Sequence, residues 1–154
     1  MKIMGFFRKI KLLFSLEMKT VLLYVEVLSY LGWARMQISV PFSKVAPTLG
    51  VKMEETPQEK QDRNRTELIR IQDAIQLISQ HTPWESKCLV KAIAASKMLA
   101  KRRIASTLYL GTARDESGKM IAHAWLRSGP YYITGAEGME KFAVIGKFAK
   151  YVSE

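Results

Sequence analysis

The fold is decided by residues 84–100, W-E-S-K-C-L-V-K-A-I-A-A-S-K-M-L-A, which contain Cys88, the single cysteine of the chain. Apolar residues recur here at helical spacing, and Cys88, Ala92, Ala95 and Leu99 fall on one face. The two alanines on that face allow a sheet to approach closely. The stretch therefore predicts a buried helix with a thiol near its N-terminus.

The start of this helix decides how strongly the thiol is activated. Thr82-Pro83-Trp84-Glu85 is a capping box that would place Cys88 in the second turn, whereas a Ser86 cap would place it in the first. The positive end of a helix favours a thiolate only within the first turn. A start at Ser86 therefore predicts the more reactive thiol.

After Arg103 the apolar pattern changes to the alternation typical of strands. Four short strands are predicted, at residues 106–113, 120–127, 131–135 and 142–148. Because tight turns join them, neighbouring strands should be antiparallel. The second strand, M-I-A-H-A-W-L-R, places His123, Trp125 and Arg127 on one face.

The first half of the chain is predicted to be helical. Apolar residues at helical spacing between positions 4 and 38 indicate one or two core helices, an interpretation we favour over a helix lying on a membrane. Pro41, Pro47 and Gly50 then predict a loop. Thr56-Pro57-Gln58-Glu59 is a capping box that predicts a helix from about residue 57 to 80, within a segment 56–80.

These segments predict one α+β domain spanning residues 1–154. It comprises a basic helical arm at 1–50, the helix at 56–80 and a core at 84–149, in which the Cys-bearing helix packs on a small antiparallel sheet. A chain of 154 residues, 48% of them hydrophobic, can bury such a core.

Composition excludes several classes of protein. One cysteine cannot form an intramolecular disulfide, which favours the cytoplasm. With only His81 and His123, and no C-x-x-C or H-E-x-x-H motif, neither a metal site nor a cofactor is predicted. The N-terminal stretch is interrupted by charges and lacks a cleavage site, so we expect it to be retained and not to span a membrane.

The net charge of +10 is compatible with nucleic acid, an anionic membrane or an acidic protein partner. No basic block with interleaved aromatic residues is present, so no nucleic-acid partner is predicted. Peripheral membrane contact is kept as the less favoured interpretation.

Cys88 and His123 form the candidate chemical site. A thiol at a helix start and an imidazole on a strand at the same end have the arrangement of a cysteine nucleophile and its base. The alternative is structural for both: lone cysteines are commonly inert and buried, and strand histidines commonly serve as hydrogen-bonding groups.

The residues resemble a known family. The run C-L-V-K-A-I-A-A-S-K-M-L-A-K-R-R-I-A-S-T-L-Y-L-G, then A-H-A-W-L, Y-I-T-G and F-A-V-I-G-K-F, is similar to the transglutaminase-like cysteine proteases that remove leader peptides during lasso-peptide biosynthesis. The resemblance covers residues 84–149 and extends to Pro41-Phe42, which matches a P-F loop. It implies a transglutaminase/papain-like core.

The resemblance implies that Cys88 is the nucleophile and His123 the general base and then acid, with a thioester intermediate. Where the family carries an aspartate to orient the histidine, twelve residues beyond it, this chain has Gly135. The hairpin also predicts that His123 faces Thr134 or Gly135 across the strands. The orienting group could be the Thr134 hydroxyl, a backbone carbonyl near Gly135, or Glu137.

The resemblance also implies partners. Some family members carry a fused leader-recognition domain, whereas the first half of this chain lacks the strands of such a domain. The expected partners are a precursor peptide, a separate winged-helix leader-recognition protein and, as a further candidate, the lasso cyclase. Two other functions stay open: a non-catalytic transglutaminase-like module that binds peptides, and a thiol acyltransferase.

Overall fold

The computed structural model describes residues 2–15, 17–59 and 62–152. The predicted α+β fold is confirmed. Its elements in chain order are α1 (Lys2–Ser15), α2 (Met18–Gln37), α3 (Phe42–Leu49), β1 (Val51–Lys52), α4 (Arg65–Ser79), α5 (Cys88–Lys101), β2 (Ser106–Arg114), β3 (Met120–Ser128), β4 (Tyr131–Thr134) and β5 (Ala143–Lys150).

The strands form one antiparallel sheet in the order β1-β5-β2-β3-β4. The four predicted strands are present within one or two residues of their expected bounds, and β1 is an additional two-residue strand. A tight turn makes β2 and β3 neighbours: the Asp115 carboxylate accepts hydrogen bonds from the backbone N–H groups of Ser117 and Lys119, both at 2.9 Å. This hairpin places His123 opposite Gly111.

The main core lies between one face of the sheet and helices α2, α4 and α5. The face of α5 that was predicted to pack on the sheet is fully buried at Ala92, Ala95 and Leu99. Because the two alanines are small, the helix approaches the sheet closely. From the sheet, Leu108 and Leu126 fill the same cluster. The close approach fixes the position of the α5 N-terminus, and with it Cys88, above β2 and β3.

The predicted start of the second helix is wrong. The helix α4 begins at Arg65, after a 3₁₀ turn at Asp62–Asn64, and not at residue 57. Thr56 does not cap it, because its hydroxyl and backbone N–H both bond the Thr107 hydroxyl, at 2.7 and 2.9 Å. The segment therefore joins the sheet; Lys60 and Gln61, within the predicted helix, lie outside the described residues.

The predicted loop at residues 41–50 is also corrected, since α3 occupies most of it. Val45 and Leu49 lie four residues apart on one face and are buried. Burial of this face stabilises the helix despite the missing N–H of Pro47. Phe42, at its start, contacts Phe148 of β5 edge to face.

Among the described side chains of the N-terminal segment, those that join the core belong to α2: Leu23, Val27, Leu31 and Ala34. The side chains described at the start of α1 are exposed, and α1 makes no extensive contact with another element of the described chain. Within the described residues, no helix combines the length and the apolar character needed to cross a bilayer.

Candidate active site at Cys88 and His123

Cys88 is the first residue of α5, and Lys87 is the N-cap. Both predicted starts are therefore too early. The Ser86 hydroxyl bonds the Thr82 hydroxyl at 2.8 Å, which in turn bonds the Trp84 carbonyl at 2.8 Å, so both predicted capping side chains are used in the preceding turn. Cys88 nevertheless lies in the first turn, at the positive end of the helix, as the Ser86 start predicted.

Cys88 and His123 line the same cavity, which has a volume of about 330 Å³. The two alanines that flank His123 on β3 leave room for the cavity, and larger apolar side chains form its walls. The cavity is therefore mostly apolar. The other lining residues are Phe42, Leu89, Leu110, Gly111, Ala122, Ala124 and Ile145. A volume of this size can hold one or two side chains of a peptide.

The imidazole of His123 is held by a backbone carbonyl. Its Nε2 lies 2.7 Å from the carbonyl oxygen of Gly135. Because a carbonyl only accepts, Nε2 must donate, and the neutral ring then carries its free lone pair on Nδ1. The ring also packs against Phe142 and Trp125, with centroid separations of 5.0 and 5.7 Å. These contacts select the tautomer that can act as a base through Nδ1.

Gly135 is required at this position for steric reasons. Its φ is +73°, and a Cβ there would lie 2.4 Å from the carbonyl oxygen of Ala124 and 2.8 Å from Cβ of Trp125. Only glycine lets the chain turn so close to β3. The Gly135 carbonyl therefore reaches the imidazole at the place where the resembling family carries its aspartate.

Thr134 and Glu137 do not bond His123 in the described structure. The Thr134 hydroxyl is buried without a hydrogen-bond partner, and Glu137 lines a second cavity of about 440 Å³ that His123 also borders. The pairing of β3 with β4 also differs from the prediction. Ser128 faces Tyr131, and a bulge between Leu126 and Arg127 places Thr134 opposite Leu126 instead of His123. Their roles as a third catalytic member stay predictions.

Among the described residues, no hydrogen bond joins the Cys88 sulfur to the imidazole of His123. The reason lies in strand alternation. Ala124 projects towards the core beneath α5, whereas His123 projects with Trp125, on which it stacks, from the other side of β3. The two side chains thus reach their shared cavity from different sides of the strand, and their catalytic roles stay predictions.

A buried network beneath His123 was not predicted. Tyr109 stacks on Trp125 at 5.5 Å. Arg127, only 2% exposed, donates to the Tyr109 hydroxyl at 2.9 Å and to the carbonyls of Thr56 and Gly129 at 2.9 and 2.7 Å. Burial, with the hydrogen bond to Glu55, raises the pKa of Tyr109 to about 12. The signal for this network in the sequence was an arginine inside a strand, on the same face as Trp125.

The described residues contain no group of three or more His, Cys, Asp or Glu side chains that could hold a metal ion.

Comparison with known families now bears on this site. The model of the family described as "Transglutaminase-like superfamily" matches residues 33–147, which is most of the chain. The chain belongs to the transglutaminase-like superfamily. The match includes α3, Cys88, His123 and Gly135 and leaves out α1 and most of α2. No curated protein and no solved structure matches the chain.

Proposed function

We propose that this transglutaminase-like protein is a cysteine peptidase that removes the leader peptide from a lasso-peptide precursor. The observation that carries the proposal is the shared cavity: the thiol at the first residue of α5 and an imidazole with a free Nδ1 both line it. Membership of the superfamily supports cysteine chemistry of the protease or acyltransferase type. The choice of a lasso precursor rests on the sequence resemblance over residues 84–149.

The reaction would proceed through a thioester. His123 would take the thiol proton at Nδ1, and the Cys88 thiolate would attack the carbonyl at the leader–core junction. The first N–H groups of α5 lack intrahelical acceptors and could stabilise the oxyanion. The imidazolium would then protonate the leaving amine of the core, and water would hydrolyse the thioester to release the leader.

The Gly135 carbonyl would replace the family's carboxylate. Both groups fix the tautomer, but a neutral carbonyl stabilises the imidazolium less than a carboxylate does. The reaction also requires a hydrogen bond between Nδ1 of His123 and the thiol, which the described structure does not contain. Next to His123 the outer edge of β3 forms no ladder with β4, because β4 pairs with β3 only from Leu126 onward.

The substrate would be delivered by other proteins. A separate winged-helix leader-recognition protein would bind the leader, and a lasso cyclase would consume the released core, all in the cytoplasm. We therefore expect slow processing of the precursor by the isolated chain and a large acceleration when the recognition protein is added.

The test is leader removal from a lasso precursor by the purified chain with its recognition protein, followed by mass spectrometry. Cys88→Ala and Cys88→Ser should both abolish cleavage, because neither side chain supplies a thiolate. Lys119→Gln, on the exposed turn between β2 and β3, is the matched control and should cleave normally. Cleavage by Cys88→Ala at a rate near that of the unaltered chain would refute the proposal.

A non-catalytic peptide-binding module is the second candidate, favoured by the missing hydrogen bond between Cys88 and His123. It predicts that the unaltered chain and Cys88→Ala bind the precursor equally and that neither cleaves it. A thiol acyltransferase would form the same thioester but pass the acyl group to an amine; a product joined to an added amine would identify it.

A further inference from the structure

The N-terminal helix and the start of α2 expose an unusual amount of apolar surface. On α1, Ile3, Met4 and Phe7 are 68, 78 and 64% exposed, and on α2, Met18 and Leu22 are 70 and 61% exposed. Ile3 and Phe7 lie four residues apart and therefore share one helix face. We call these five residues the N-terminal apolar patch. Isolated exposed apolar residues are normal, but several on one helix face indicate a binding surface.

The transglutaminase-like core does not require this patch. It lies outside the residues that match the superfamily, 33–147. The opposite face of α2, with Leu23, Val27 and Leu31, supplies that helix's contribution to the core. The exposed face is therefore left for another occupant.

Charge around the patch identifies that occupant. Within residues 1–25 the sequence has five basic residues and one acidic residue, Glu17. Arg8, Lys9, Lys11 and Lys19 are all exposed beside the apolar side chains. A helix with apolar side chains on one face and cations beside them is suited to the surface of an anionic bilayer. The apolar side chains can enter the boundary of the acyl chains, and the cations can contact the anionic headgroups.

We propose that α1 and the first turns of α2 lie on the surface of an anionic membrane and anchor the core there. The anchor rests on the surface, since no described helix is long and apolar enough to cross a bilayer. The proposal does not depend on peptidase activity, because the patch contains no residue of the candidate active site.

The experiment is cosedimentation of the full chain with vesicles of phosphatidylcholine alone or with about a quarter phosphatidylglycerol. We expect binding to the anionic vesicles that weakens as salt is raised. Replacing Ile3→Glu and Leu22→Glu together should lower the partition coefficient at least about tenfold, because each change places a carboxylate against lipid. Both side chains are exposed, so far-UV circular dichroism should stay unchanged.

A charge series separates a local anchor from general attraction. Changing Arg8, Lys9 and Lys11 to glutamine should weaken binding about fivefold for each cation removed, or about a hundredfold for all three. The matched control changes the exposed Lys52, Lys119 and Lys141 to glutamine, which lowers the net charge equally, and should change binding less than about threefold. No binding of the unaltered chain to anionic vesicles, or equal losses in both triple variants, would overturn the proposal.

Discussion

Substitution of Gly135 by alanine tests how the imidazole is held. The new Cβ would lie 2.4 Å from the Ala124 carbonyl oxygen, at a φ of +73° that L residues rarely adopt. The left-handed backbone costs about 1–2 kcal/mol, and forcing a methyl group into a packed site costs about 1–3 kcal/mol more. We therefore expect Gly135→Ala to lower the free energy of unfolding by about 2–5 kcal/mol.

Gly138 provides the matched control. Its φ is +76°, but a Cβ there would meet no atom within 4 Å. Gly138→Ala should therefore cost only the backbone strain, about 1–2 kcal/mol. Urea unfolding gives both free energies, and ¹⁵N NMR of the imidazole reports whether Nε2 of His123 still carries the proton. Equal destabilisation by the two substitutions, with an unchanged imidazole spectrum, would refute the role assigned to Gly135.

Two further predictions concern stability. The Arg102 guanidinium, hydrogen-bonded to Glu26 at 2.7 Å, holds the pKa of that carboxyl below its ordinary value of 4.5, against the opposing effect of burial. This stabilisation is complete above the ordinary pKa and is lost as the pH falls below it. Glu26→Gln should therefore lower the free energy of unfolding by about 1–3 kcal/mol at neutral pH. It should also make the free energy of unfolding depend less on pH in the acid range. Glu85→Gln, which breaks an exposed ion pair, should cost less than about 1 kcal/mol, and a loss as large as that of Glu26→Gln would contradict this assignment. Arg127→Met should lower the free energy of unfolding in urea by roughly 3 kcal/mol or more, because several buried acceptors lose their donor. Tyr109→Phe should lower it by about 1 kcal/mol. A smaller loss for Arg127→Met than for Tyr109→Phe would disprove the buried network.

The elements of the core were predictable because their sequence patterns are local. Helical spacing around Cys88 and strand alternation around His123 each reflect one face packed against a single layer. The start of α4 was not predictable in this way. Thr56 has the local signature of a cap, but Thr107, far along the chain, takes its hydroxyl, and such a tertiary contact leaves no local pattern.

The candidate site was predictable in its residues and less so in its geometry. Cys88 and His123 were selected from the sequence, and the carbonyl of Gly135 was among the groups proposed to orient the histidine. The side of β3 from which the imidazole projects follows from alternation, but the position of α5 relative to that side depends on packing between distant segments. Whether thiol and imidazole form a hydrogen bond depends on that packing, and the described structure contains no such bond.

The most direct test of the account is covalent trapping at Cys88. A leader peptide that ends in a vinyl sulfone should alkylate the chain once, at Cys88, in the presence of the recognition protein, and intact-mass and fragment spectra locate the adduct. The rate should fall well below that of the unaltered chain in His123→Ala and with a scrambled leader, because the base and the bound leader both accelerate attack. Modification of Cys88 at the same rate in all three cases, or no modification of Cys88, would contradict a thiol activated for leader removal.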